Sequence, residues 1–267
     1  VKSVRITIVA MLLSALAGIH PASAGPEERI LLGGWTQSGL DRLIREAAAI
    51  TDTGRRIEFL SGRFIGTAYK PSTLIGDENT PEVFVIDLEG MDCFTYLDYI
   101  EAMRLSSSFA AFKENLRVVR YRSGKVAFES RNHFFTDWAE FGSSRIVDVT
   151  GAVGGERTRS VRKVLNLRED GTLFLPGIAP RERVIRYIPA NAVDEAVTAR
   201  LRTGDYAGIY TEIKGLDVTH TGIIIKRQGR LYLRHASSSK ENRKVVEEDL
   251  ITYISKTPGL VVLRARQ

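Results

Sequence analysis

The 267-residue sequence predicts an α+β fold in which helices pack against an antiparallel sheet. Two observations carry that reading. The first half holds three runs with apolar residues at helical spacing, and the last third changes to short runs rich in β-branched residues. Helices first and strands later place the helices on one sheet, without the alternation that builds a parallel one. With no internal repeat, low-complexity tract or long linker, residues 25–267 read as a single domain.

Ser38 stands as a candidate N-cap before Leu40, Leu43, Ile44, Ala47 and Ala48, which recur at helical spacing. Thr53-Gly54 reads as the stop, and Ile57 to Phe64 as a second short helix. Cys93 opens a third, since Phe94, Leu97, Ile100 and Met103 recur every three residues until Ser106-Ser107-Ser108. Asn191 to Leu201 is a further helix, ended by the turn Gly204-Asp205. Strands are expected over Tyr206 to Ile213, Thr221 to Lys226, Leu231 to Arg234 and Leu260 to Arg264. Gln228-Gly229 is placed to close a hairpin between the second and third of these. Leu116 to Pro189 is mixed and gives no ordered pattern.

The N-terminus reads differently. Lys2 and Arg5 precede the apolar run Ile6 to Ala17, and Ala22-Ser23-Ala24 supplies a small-x-small cleavage site. This is the pattern of a signal peptide over residues 1–24, which predicts export to the periplasm or beyond. A membrane anchor is the alternative, but the run is short of the roughly 20 residues a bilayer needs. Without Lys2 and Arg5 the 38 basic residues become 36 against 32 acids, a net charge of +4. So mild an excess suits an anionic surface or an ordinary soluble one, and no dense basic tract argues for nucleic acid.

An exported protein normally pairs its cysteines, yet Cys93 is the only one. By composition alone it reads first as a buried, inert hydrophobe. Its position gives the other reading, because a helix N-terminus favours a thiolate. An imidazole beside it would take the thiol proton and later return it to a leaving amine. After residue 24 only His133, His220 and His235 remain. His220 precedes one expected strand and His235 closes the next, so a hairpin at Gln228-Gly229 brings them together at its open end. Zinc sites want closely spaced ligand pairs and none exists here, so no metal is expected.

Gly66-Thr67-Ala68-Tyr69, Asp92-Cys93, Gly204-Asp205 and His220-Thr221-Gly222-Ile223 occur in an order that resembles the NlpC/P60 cysteine peptidases. The long insert between Tyr69 and Asp92, the run Arg131 to Trp138 and His235-Ala236-Ser237 resemble one branch of them, DUF1460, which is similar to N-acetylmuramoyl-L-alanine amidases. The resemblance covers most of the chain after residue 24. It implies a papain-like α+β fold, peptidoglycan fragments as substrate and no cofactor; a monomer is expected.

Carried over by position, the resemblance implies Cys93 as nucleophile, His220 as general base and His235 as the group that orients it, a role a neighbouring Asn or Gln would otherwise fill. Tyr69 would line the cleft and help stabilise an oxyanion with the backbone N–H of Cys93. Asp92, Arg131, His133 and Asp137 would stand on the substrate side, with packing as the other reading of His133 and a surface ion pair as that of Arg131 and Asp137. One feature departs from the common pattern: Phe94-Thr95 follows the cysteine where a small Ser-Gly pair is usual. That points away from cleavage within the stem peptide and toward the muramoyl–L-alanine amide. An endopeptidase, a non-catalytic wall-binding protein and a toxin aimed at a competitor's wall are the rival readings.

Overall fold

The structure, a computed structural model, describes residues 27–142 and 144–267; the leader expected over 1–24 lies outside the described residues. In chain order the elements are β1 (Glu28–Leu31), α1 (Gln37–Ala48), α2 (Thr53–Gly62), β2 (Ala68–Tyr69), β3 (Phe84–Asp87), β4 (Gly90–Met91), α3 (Cys93–Arg104) and α4 (Phe109–Arg120). There follow α5 (Asp137–Phe141), β5 (Ile146–Asp148), α6 (Thr150–Gly154), β6 (Arg159–Leu165), β7 (Arg181–Pro189) and α7 (Glu195–Arg200). The chain ends with β8 (Tyr206–Tyr210), β9 (Val218–Arg227), β10 (Arg230–Ala236), β11 (Val245–Asp249), α8 (Leu250–Ile254) and β12 (Gly259–Ala265).

One antiparallel sheet of eight strands runs in the order β11-β10-β9-β8-β12-β7-β6, with β5 added on β12. Two short parallel pairs, β1 with β3 and β2 with β4, lie outside it. Helices precede most of the strands and the large sheet is antiparallel, so the fold is α+β as expected. None of the described helices is long and apolar enough to cross a membrane.

Period two along β9 explains how the sheet serves two cores. Ile223 and Ile225 enter the first, with Leu40, Ile57, Leu97, Ile100 and Phe112 from α1 to α4. Ile224 enters the second, with Val153, Val197, Leu250 and Ile254 from α6, α7 and α8. A helical layer on each face buries both sides of the strand, which is why Gly222 to Ile225 carries no polar residue.

Local capping moves several boundaries from those expected. The N-cap of α1 is Thr36, whose Oγ1 accepts the Gly39 N–H at 3.0 Å, so Ser38 lies inside the first turn. Thr53-Gly54 does not stop a helix; it starts α2, because the Asp52 carboxylate accepts the Arg55 N–H at 2.7 Å. Asn191 to Leu201 divides into a 3₁₀ turn at Ala190–Ala192 and α7, which Asp194 caps. The strand expected to reach Ile213 ends at Tyr210, where the pairing of β8 with β9 shifts register. The hairpin at Gln228-Gly229 joins β9 and β10 as expected, with both turn residues at positive φ.

Two buried ionic contacts fix α3. Asp98 accepts from Arg120 Nε at 2.8 Å, tying α3 to α4. Glu101 accepts from Arg104 and from the Tyr206 hydroxyl at 2.7 Å, tying α3 to β8. Breaking such a pair from one side costs about 3–5 kcal/mol, since the partner charge stays buried. These contacts hold the axis of the helix that begins at Cys93.

Candidate active site

Cys93 is the first residue of α3 and lies partly exposed. Asp92, before it, is the N-cap: its Oδ1 accepts the N–H groups of Phe94 at 3.0 Å and Thr95 at 2.8 Å. Thr95 Oγ1 in turn accepts the Asp92 N–H at 3.0 Å, completing a capping box. This gives Asp92 a structural role at the start of α3. The helix N-terminus does not by itself make Cys93 a thiolate. Burial, and then the Asp92 charge, push the thiol up to about 11, against the opposing hydrogen bonds of Thr221 and of the Cys93 N–H. At neutral pH the resting group is therefore a thiol, which would act as a nucleophile only with a base beside it.

The histidines meet as the hairpin implied. His220 lies within β9 rather than just ahead of it, and its Nε2 stands 2.6 Å from His235 Nδ1 on β10, with the rings edge to face. One step beyond the last registered pair, Arg234 with Ile223, His235 faces Gly222. His220 is then its diagonal neighbour on the same sheet face. Gly222 is needed there, because a Cβ would come within 3.0 Å of His235 Cβ and 2.6 Å of Leu233 Cδ1. The Tyr253 ring of α8 packs over both imidazoles, 5.2 Å from His235 and 6.2 Å from His220.

Burial pushes His220 down to about 3, with the charge of His235 adding to it, and burial pushes His235 down to about 4. Both rings are neutral at pH 7, as a proton acceptor must be.

Thr221 joins this pair to the cysteine. It faces the opposite side of β9 from His220, toward α3, and its hydroxyl donates to the Cys93 carbonyl at 2.9 Å. The start of α3 is thereby tied to the strand one residue from His220. In this structure the thiol is hydrogen-bonded to neither imidazole, and such bonds often tighten only when substrate is bound. Tyr69 arrives through β2, which pairs with β4 so that Tyr69 faces Met91, two residues before the cysteine. Its ring is half-buried under the Arg243 guanidinium. Burial, and then the charges of Cys93 and Asp92, raise its hydroxyl, which places it within electrostatic reach of the Cys93 thiol.

The expected residues of the 131–137 run do not join this group. Arg131 does not pair with Asp137: its guanidinium bonds Glu82 and Asp137 bonds Arg183 at 2.7 Å, all nearly buried. Their charges are spent inside the protein. His133 Nε2 donates to the Phe128 carbonyl at 2.8 Å and stacks edge to face on the Phe128 ring, a packing role. The link from this run to the site is apolar, through Trp138 against Phe94 at 5.7 Å.

Two neighbours of the site had no role assigned from the sequence, although one stands in the motif His220-Thr221-Gly222-Ile223. Thr221 is one. Glu248 on β11 is the other, with Oε2 2.7 Å from His235 Nε2. Beside them a cavity of about 410 Å³ opens, lined by His220, Glu248, Thr219, Thr252, Tyr253 and Lys256 among others. No cluster of three or more metal-ligating side chains occurs among the described residues.

Comparison with known proteins gives the family. A structure of a Legionella pneumophila DUF1460 protein superposes with a TM-score of 0.73 at 23% identity, covering 86% of this chain and 94% of that one. An N-acetylmuramoyl-L-alanine amidase from Bacteroides uniformis superposes at 0.65 with 26% identity, over 80% of this chain and 99% of its own. A candidate xylanase from Bacteroides fragilis gives 0.59 and 28%, over 76% and 98%. No curated protein sequence matches. Residues 59–260 match the model of the AmiA-like, N-acetylmuramoyl-L-alanine amidase-like family, and the chain belongs to that family.

Proposed function

We propose that this protein is an exported, cysteine-dependent amidase of papain-like, NlpC/P60 type that cuts the N-acetylmuramoyl–L-alanine bond of muropeptides. The observation that carries the reading is the His220–His235 pair, 2.6 Å apart and anchored through Thr221 to the residue that opens α3. Family membership and the amidase from Bacteroides uniformis support the choice of substrate.

In the first half-reaction the Cys93 Sγ–H proton passes to His220 and Sγ attacks the lactyl carbonyl carbon. The backbone N–H of Cys93, which the Asp92 cap leaves free of its carboxylate, and the Tyr69 hydroxyl are the candidate donors to the oxyanion. His220 then delivers its proton to the alanine nitrogen, the C–N bond breaks and the peptide leaves. In the second half-reaction His220 takes a proton from water, hydroxide attacks the thioester carbonyl, the C–S bond breaks to release the lactyl carboxylic acid, and His220 returns its proton to the Cys93 thiolate.

A glycosidase reading, suggested by the Bacteroides fragilis likeness, needs a pair of carboxyl groups that flank the scissile bond. Here Glu248 is held by His235, and Asp249 accepts the Thr252 N–H as the cap of α8. Digestion of a disaccharide–tripeptide followed by mass spectrometry tests the proposal. An amidase frees the whole tripeptide and leaves a sugar with its lactyl carboxylate, whereas an endopeptidase leaves L-alanine and D-glutamate on the sugar.

A further inference from the structure

We propose that Glu248 is a positioning residue of this site, which fixes the tautomers of both imidazoles and leaves Nδ1 of His220 as the free base. The proposal rests on the cysteine–histidine reading above. Two hydrogen bonds link the three side chains, His235 Nε2 to Glu248 Oε2 at 2.7 Å and His220 Nε2 to His235 Nδ1 at 2.6 Å, and each holds one proton.

An ionised carboxylate only accepts, so the proton of the first bond sits on His235 Nε2. A neutral imidazole carries one N–H, which makes His235 Nδ1 an acceptor. The proton of the second bond therefore sits on His220 Nε2, and Nδ1 of His220 keeps its lone pair. One carboxylate thus selects the basic nitrogen two rings away. Without it the opposite polarity is equally available, with His235 Nδ1 donating, His220 Nε2 accepting and the His220 proton on Nδ1. That form cannot take a proton from a thiol at Nδ1.

The sheet builds this row by register. In the pairing of β10 with β11, His235 faces Val246, and Glu248 stands two residues further along β11 on the same face. His220 is likewise the diagonal neighbour of His235 across β9 and β10. Three adjacent strands therefore contribute His220, His235 and Glu248 as two diagonal steps. Glu247 points to the other face, where it binds Arg234 at 2.5 Å, and Asp249 is occupied as a cap. Glu248 is the carboxylate left to meet His235, and its side chain is 40% exposed at the cavity beside His220.

When the Cys93 Sγ–H proton moves to His220 Nδ1, the ring becomes an imidazolium that still donates through Nε2 to His235. The Glu248 carboxylate, bonded to the far side of His235, favours that positive charge without taking a proton itself.

The test is carried out on the full chain by ¹⁵N NMR of the histidine rings and by the rate at which iodoacetamide alkylates Cys93. In the wild type both His220 and His235 should carry the proton on Nε2. Glu248→Met keeps the bulk but removes the acceptor, and should populate Nδ1–H on His220 and slow alkylation by roughly 10²-fold. Glu248→Gln, whose amide oxygen still accepts from His235, should restore the Nε2–H pattern and most of the rate. Glu248→Ala repeats the test should Met disturb packing. Two neutral Nε2–H rings in both Glu248→Met and Glu248→Ala, or a wild-type His235 protonated on Nδ1, would overturn the proposal. Neither readout needs hydrolysis, so a failure of the amidase reading is seen separately, as hydrolytic activity that survives Cys93→Ala.

Discussion

Thr221 donates its hydroxyl to the Cys93 carbonyl at 2.9 Å and so clamps the first turn of α3 to β9 beside His220. Thr221 also bears on the thiol, favouring the thiolate against burial and the Asp92 charge. Thr221→Val keeps the shape and removes the hydroxyl. It should cost about 1 kcal/mol of stability and move the pH dependence of Cys93 alkylation to higher pH. An alkylation profile identical to that of the wild type would show that the thiol does not feel Thr221.

Gly222 is required for the histidine pair, not for a turn. A Cβ at this position meets Leu233 Cδ1 at 2.6 Å and the Arg234 carbonyl at 3.0 Å, and the carbonyl belongs to the sheet and cannot step aside. Gly222→Ala should destabilise the fold by about 1–3 kcal/mol and separate His235 from His220. Turnover should fall more than substrate binding does, measured as kcat against KM. Turnover equal to wild type would mean that the pair tolerates the separation.

His133 offers a pH test away from the chemistry. Burial, together with the charges of Arg131 and Arg122, pushes it down to about 4, although its bond to the Phe128 carbonyl opposes this. In the unfolded chain it takes up a proton near its ordinary value of about 6.5. Between these limits the unfolded state binds a proton that the folded state refuses, so stability is full above about pH 6.5 and falls as pH drops toward 4. Relative to His133→Gln, the wild type should lose melting temperature across that window. Parallel curves for the two proteins would place a charged His133 in the native state.

Asp137 and Arg183 form a nearly buried pair at 2.7 Å. Asp137→Asn leaves the guanidinium without its counter-charge and should cost about 3–5 kcal/mol, with KM unchanged in the molecules that remain folded. A raised KM at unaltered melting temperature would restore Asp137 to the substrate side.

The parts of this protein legible in the sequence are those set by short-range pattern. The apolar period after Cys93 marks α3, Gln228-Gly229 marks the β9–β10 hairpin, and together they bring His220 to His235. Strands β6 and β7 were hidden because charges interrupt their alternation. Lys163, for example, sits within β6 and is satisfied only by the distant carbonyls of Thr211, Ile213 and Leu216. Glu248 was hidden for a related reason: Val245 to Asp249 holds three acids and does not read as a strand, yet its pairing with β10 is what aims Glu248 at His235. The partners of Arg131 and Asp137 lie at Glu82 and Arg183, far along the chain, and spacing within 131–137 carries no trace of either.

The most direct test of the account compares the wild type with Cys93→Ala on a defined disaccharide–tripeptide, with products weighed by mass spectrometry. The wild type should release the intact tripeptide with an L-alanine amino terminus, and Cys93→Ala, folded as judged by its melting curve, should lose this activity by several orders of magnitude. A folded Cys93→Ala protein that releases the same tripeptide near the wild-type rate would contradict the central claim.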